Sequence, residues 1–297
     1  MSLQDAPLDQ EALDFIKELA NELNTGSVQL PSYPEAAMRV QRALASEDVE
    51  LETVVRAISA EPLLAVRIMQ MANSARINSM GRPITDLRKA VGRLGYNMVR
   101  IAAMSFVMQQ LQLTPAHAPV QGQLAQLWRL SVNVAALART LAVHKAPLNP
   151  DIAVLVGLLH AVGKLCIHVR LAAHPQLLAR PEVCQRILTD WHSDIGAALL
   201  SDWGMADEVI DAARFHTDSD RQFGDSIDFT DVLAAAVHIE CLREQLATEI
   251  PTAENSLPML QKVPELWQHV QVDGDGLLAL LAHADEEIRE LQSLLGA

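Results

Sequence analysis

Gly157-Leu158-Leu159-His160-Ala161-Val162-Gly163-Lys164 is the stretch on which the reading of the whole chain turns. It lies inside the run Asn149 to Val169. Asn149 suits an N-cap, Pro150 suits the first helical position, and Asp151 favours the positive end of the helix dipole. From Ile152 to Ile167 the segment is apolar on nearly every side, with His160 and Lys164 its only strongly polar side chains. The spacing predicts one helix over 151–168, buried all round. An imidazole in such a helix needs a partner, because an unpaired buried polar group costs roughly 1–3 kcal/mol. The run is not a phosphate-binding loop. Five residues rather than four separate its glycines, and Leu165 stands where a Ser or Thr would hold magnesium.

Outward from this helix the chain reads as helix nearly throughout. Apolar residues recur three and four apart and β-branched alternation is scarce. Predicted helices cover Leu8–Leu23, Pro34–Leu44, Leu51–Ser59, Pro62–Asn73, Ile84–Leu94, Asn97–Leu113 and Leu124–Val143 before the central one. After it come 175–189, 193–202, 205–215, 230–247 and a C-terminal helix. Gly95 separates the fifth from the sixth, Pro115 to Gly122 reads as an internal linker, and Ile250 to Pro264 as a loose segment. The fold expected is all-α: two packed helical bundles with extra terminal helices. The organisation is an N-terminal helix (1–27), a first bundle (28–118), a second bundle (119–250) and a loop with a C-terminal helix (251–297). In that last helix Leu277, Leu281, Ala284, Ile288, Leu291 and Leu295 form a heptad-like seam of under three heptads. It reads as a helix docked on its own core, with a homodimer through this helix as the alternative. Asp273-Gly274-Asp275-Gly276 reads as a turn, since a calcium loop would need a further acid and a Glu where Ala284 stands.

The chain has 297 residues, half of them apolar, and a formal net charge of −14. That balance argues against nucleic-acid binding. With no signal-peptide pattern and no uninterrupted apolar run of spanning length, no membrane segment is expected and the location expected is cytoplasmic. Cys166, Cys184 and Cys241 match no metal or redox spacing. The charge is uneven. Residues 64–103 carry seven Lys/Arg (Arg67, Arg76, Arg82, Arg88, Lys89, Arg93 and Arg100) against Asp86 alone, a basic island in an acidic chain. Arg88, Lys89 and Arg93 lie off the apolar stripe of their helix and are candidates for docking an acidic partner or a phosphate.

Three histidines are candidates for chemistry: His160, His192 and His216, at intervals of thirty-two and twenty-four residues. Three imidazoles suffice for a mononuclear zinc or iron site with an open position. They suit a two-metal site poorly, because it needs a bridging carboxylate. The bland reading is that they are satisfied core or cleft histidines.

The run from Trp128 through Val132-Asn133-Val134-Ala135, Gly157 to Lys164, His192 to Ala197 and Phe215-His216 resembles the HD superfamily of metal-dependent phosphohydrolases. Upstream, Leu30-Pro31, Pro34, Glu61-Pro62-Leu63, Met71-Ala72-Asn73-Ser74-Ala75, Ile84, Ala90 and Leu94-Gly95 are similar to one branch of it, the HDOD domain, a bacterial signalling output domain. The resemblance covers roughly residues 28–220 and implies that the second bundle is HD-like. It also shows what is missing. The first metal-ligand His would fall near Leu130. The carboxylate that bridges both metals is the methyl of Ala161. The last Asp corresponds to Cys241. Only His160, His192 and His216 match ligand positions. The resemblance therefore implies a degenerate HD-type domain without enzyme activity and with no cofactor, acting as a regulatory scaffold for a signalling protein or for a nucleotide or cyclic dinucleotide. The alternatives are a metal-dependent phosphohydrolase of nucleotides or cyclic dinucleotides, and a sensor holding one zinc, iron or manganese ion. Asn73, Ser74, Arg88, Lys89, Arg93 and Lys164 are the candidate binding residues.

Overall fold

The computed structural model describes residues 9–24, 35–44, 49–79, 81–245 and 264–296. Among them every regular element is helical and no strand occurs. The expected loose segment from Ile250 to Pro264 lies almost wholly outside the described residues. The chain divides into two compact units, residues 1–127 with 161–206, and residues 128–160 with 207–297.

The first unit begins with α1 (Gln10–Asn24), α2 (Glu35–Leu44), α3 (Leu51–Ser59) and α4 (Pro62–Ala72). Leu64, Ile68 and Met71 form the buried face of α4 and are almost fully inaccessible. Burying side chains of this size is worth about 1.5–3 kcal/mol each. The next helix, α5 (Leu87–Leu113), starts later than its apolar stripe predicts. Asp86 caps it, its side chain accepting from the Lys89 amide at 2.8 Å. Ile84 stays outside because its backbone is held by Asn73: the Asn73 amide donates to the Ile84 carbonyl and its oxygen accepts from the Ile84 amide, both at 2.8 Å. The expected break at Gly95 is present, with φ 75° and ψ 164° inside α5, a conformation that glycine adopts without steric cost. Beyond it, Ile101 to Met108 are buried without a gap.

Two expectations fail in this region. Pro115 to Gly122 is not a loose linker: Pro115–Val120 winds into a 3₁₀ helix whose His117 is buried and bonds through Nδ1 to the Leu111 carbonyl at 2.9 Å. The central helix is not single. α6 (Gln121–His144) is followed by α7 (Pro150–Leu159) and α8 (Val162–Leu171), with the chain turning at His160 and Ala161. Asn149 and Pro150 start α7 as expected, the Asn149 side chain accepting from the Asp151 amide at 2.9 Å. At the break Ala161 has φ −98° and ψ 12°, off the helical ladder. By length and composition the stretch Pro150–Leu171 could cross a membrane, more than its sequence suggested, yet 83% of its most apolar part is buried in the protein.

α9 (Pro175–Leu178) is one turn, and α10 (Pro181–Asp202) runs unbroken through His192 where two helices were expected. In the first unit α8 lies against α10. Their approach is very close at Gly163, where a Cβ would stand 1.9 Å from the His192 carbonyl oxygen and 2.8 Å from the Gly196 nitrogen.

The second unit holds most of α6, then α7, α11 (Asp207–Phe215), α12 (Phe229–Gln245), α13 (Pro264–His269) and α14 (Gly274–Leu295). Here α7 packs on α11 and α12. Gly157 lets α7 meet the backbone of α6, since a Cβ there would lie 2.4 Å from the α-carbon of Ala135. Asp273 does more than turn the chain: it caps α14, accepting from the Gly276 amide at 2.7 Å. The seam of α14, from Leu277 to Leu295, is buried within the chain. Polar bonds from Arg139 to Glu287, Gln292 to Asn133 and Arg243 to Asp285 tie this helix to α6 and α12.

Candidate functional site

In the second unit His160 and His216 face each other edge to face, ring centroids 5.5 Å apart, both buried. His160 ends α7, and its Nδ1 bonds to the Gly157 carbonyl at 2.6 Å. His216 follows α11, and its Nδ1 bonds to the Ala213 carbonyl at 2.9 Å. A carbonyl oxygen only accepts, so each Nδ1 carries a hydrogen, which in the neutral ring leaves the lone pair on Nε2. A metal-ligating imidazole is oriented in this way by a backbone carbonyl.

His192 belongs to the first unit, where it is buried on α10. Burial, and then the nearby Lys164 ammonium, push its pKa down to about 4. His168 on α8 is pushed to about 4 by the same two causes in the same order. Nothing in the sequence singles out His168. Lys164, a candidate binding residue from the sequence, is half-buried and is the cation common to both imidazoles.

The donors do not fit the pair of ions that the HD resemblance implies. Among the described residues no group of three or more His, Cys, Asp or Glu side chains is placed to hold a metal ion. Ala161 offers no oxygen, and Cys241 is exposed on its helix.

Two buried carboxylates of the second unit were given no role by the sequence. Glu240 accepts from Asn133 at 2.7 Å and from Arg243 at 2.8 Å. Asp231 is fully inaccessible and is held by Arg221 and His269, both at 3.2 Å, and by the Asp228 amide at 3.0 Å. Their only signal was a carboxylate on a mostly apolar helix, at Glu240, and an acid in a first helical turn, at Asp231. Beside His216 opens a cavity of about 470 Å³. Phe215, Phe223 and His238 supply its flat walls, and Asp218, Asp231 and Glu265 its carboxylates. Among the described residues Arg221 is the one Lys or Arg in that lining, and it is already paired with Asp228 and Asp231.

The remaining sequence candidates lie in the first unit. Asn73 closes α4, donating also to the Met69 carbonyl at 2.9 Å, so its amide is committed to the backbone. The Ser74 hydroxyl donates to the Met71 carbonyl at 2.7 Å. Arg88 pairs with Glu52, and Arg93 donates to the Ile77 carbonyl at 3.1 Å. Lys89 is exposed. Asn73, Ser74 and Arg93 thus hold the end of α4 and the segment before α5, and the exposed Arg88 pairs across to α3.

Residues 30–219 match the HDOD domain. A crystal structure from Shewanella amazonensis SB2B, of a protein named "Putative metal-dependent phosphohydrolase", is 25% identical. It aligns over 94% of this chain and all of that one, with a TM-score of 0.63. Another, from Marinobacter aquaeolei VT8 and named "Putative signal transduction protein", shares the fold at 19% identity. It aligns over all of this chain and 69% of that one, with a TM-score of 0.62. An uncharacterized protein of Treponema pallidum (strain Nichols) is 28% identical over 205 residues, which is 63% of this chain and 37% of that protein. This chain therefore spans little more than a third of that curated relative. With the HDOD match running over well more than half of its length, the chain belongs to the HDOD family.

Proposed function

We propose that this chain is a bacterial, cytoplasmic signal-transduction module: a degenerate HD-type domain that binds a signalling protein and catalyses no hydrolysis. Its helices would form two bundles, the second HD-like. The observation that carries this reading is Ala161. It follows His160 where the resemblance calls for a bridging carboxylate, and it is a buried methyl. Without that oxygen a two-metal centre has no bridge and no place to hold an activated hydroxide. The resemblance to a protein named as a phosphohydrolase is one of fold and partial sequence, and a fold hosts many activities.

The cavity beside His216 favours a protein over a nucleotide. A phosphate favours positive charge, and among the described residues this lining offers three carboxylates against a single arginine that is already paired. The test is an assay of cyclic dinucleotides, nucleoside phosphates and phenyl-phosphate esters with manganese, iron or nickel supplied. The expected result is no turnover above the metal alone. A robust rate that disappears in His160→Ala and in His192→Ala would establish the hydrolase instead.

A further inference from the structure

Arg67 sits on α4 at the edge of the buried Leu64-Ile68-Met71 face. Its Nε and Nη2 are out of water, and no hydrogen-bond acceptor among the described residues reaches them. Burial lowers its pKa. Buried polar groups are normally satisfied, so a half-buried guanidinium with no counter-charge calls for an explanation. Arg100 is the other cation of the island with a buried, unpartnered Nε, but its Nη2 donates to the Leu44 carbonyl at 3.0 Å. Arg88 is paired, Arg93 donates to the Ile77 carbonyl, and Arg76, Arg82 and Lys89 are exposed to water.

Next to Arg67 the same helix leaves Leu63 60% and Val66 52% exposed. These are the two large apolar side chains of the described residues that stand exposed within one helical turn of each other. A spacing of three puts them on one face. α4 thus presents an apolar pair to solvent beside a cation with no anion among the described residues. Of the three side chains, Arg67 is the type that most often carries binding energy at an interface, and the apolar pair supplies area beside it.

We infer that the outer face of α4, formed by Leu63, Val66 and Arg67, is the docking surface for a helical segment of a partner protein that places a carboxylate within one turn of apolar side chains. The occupant follows from charge: no acid among the described residues pairs with Arg67, and the stretch of chain from 64 to 103 that contains it carries seven cations and one acid. This rests on the protein-binding reading above and supplies the site that reading lacks. It moves the site from Arg88 and Arg93, which are engaged within the unit, to α4.

Two measurements on the full chain test it. Removing an uncompensated buried charge should stabilise the free protein, so Arg67→Met should raise the melting temperature. A fall would show Arg67 bracing the fold and would overturn the inference. In the second, a stapled helical peptide with leucines one turn apart and a glutamate beside them is titrated by fluorescence anisotropy. Saturable binding is expected. It should weaken at least tenfold with Arg67→Met, with Leu63→Asp, and with glutamine in place of the peptide glutamate. No saturable binding up to millimolar peptide, or binding indifferent to all three changes, would overturn it. So would a concentration-dependent dimer abolished by Leu63→Asp, because a second copy would then be the occupant. None of these outcomes depends on the hydrolysis assay, so either reading can fail alone.

Discussion

The histidine pair of the second unit and the histidine of the first carry the same sequence signal in different surroundings. His160 and His216 are each pinned by a hydrogen bond from Nδ1 to a carbonyl three residues back, with the rings in contact. His192 lies instead beside a lysine, with a second depressed imidazole, His168, close to the same cation. The first arrangement fixes a tautomer. The second keeps two imidazoles neutral by burial and by a fixed positive charge. A motif match therefore identifies which histidines correspond to ligand positions, while their neighbours determine what each ring can do.

Each region also depends on one glycine, and these positions give the largest expected effects. At Gly163 and Gly157 an added methyl would meet backbone atoms, which cannot swing aside as a side chain can. We expect Gly163→Ala and Gly157→Ala each to cost about 3 kcal/mol or more, the upper range for overpacking. Urea unfolding measures this. If either helix pair tolerates the methyl with under about 1 kcal/mol lost, the close approach of that pair is wrong.

Acid should separate the two regions next. His192 and His168 titrate near 4 when folded, against an ordinary value of 6.5. As pH falls the unfolded chain takes up these protons first. Their contribution to stability is whole above about pH 6.5 and is lost as pH falls towards 4, by a few kcal/mol in total. Removing one of the two, in His168→Gln, should flatten the stability profile between pH 6.5 and 4. An unchanged slope would mean that Lys164 and burial do not depress His168.

Asn73→Ala removes the side chain that ties α4 to the segment before α5. A net cost of about 1–2 kcal/mol is expected for hydrogen bonds at a partly exposed site. A neutral result would mean that the backbone around Ile84 holds itself. The smallest effect belongs to the basic island: reversing Arg88 and Lys89 together should change stability by no more than about 1 kcal/mol, because exposed ion pairs contribute little. A larger loss would make the Arg88–Glu52 pair a brace of the fold.

The helical class, the starts of α4 and α7 and the break at Gly95 were legible because caps, prolines and glycines act locally. The break at Ala161 was not, since a buried run that is apolar all round carries no periodic signal of where it turns. The unbroken course of α10 through Ser193-Asp194 was missed for the opposite reason: those residues look like a cap, but packing of α8 against Gly196 keeps the helix going. The three histidines were identified from their motifs. The orphaned Arg67 and the buried Asp231 were not, because only tertiary packing distinguishes an arginine without a counter-charge from one with it, or a surface acid from a buried one.

Metal content of the chain, purified without a histidine tag and equilibrated with manganese or iron, tests the central claim most directly. The absence of a bridging carboxylate at Ala161 predicts fewer than two tightly bound ions per chain. Two ions per chain, lost in His160→Ala, would contradict it and restore the phosphohydrolase.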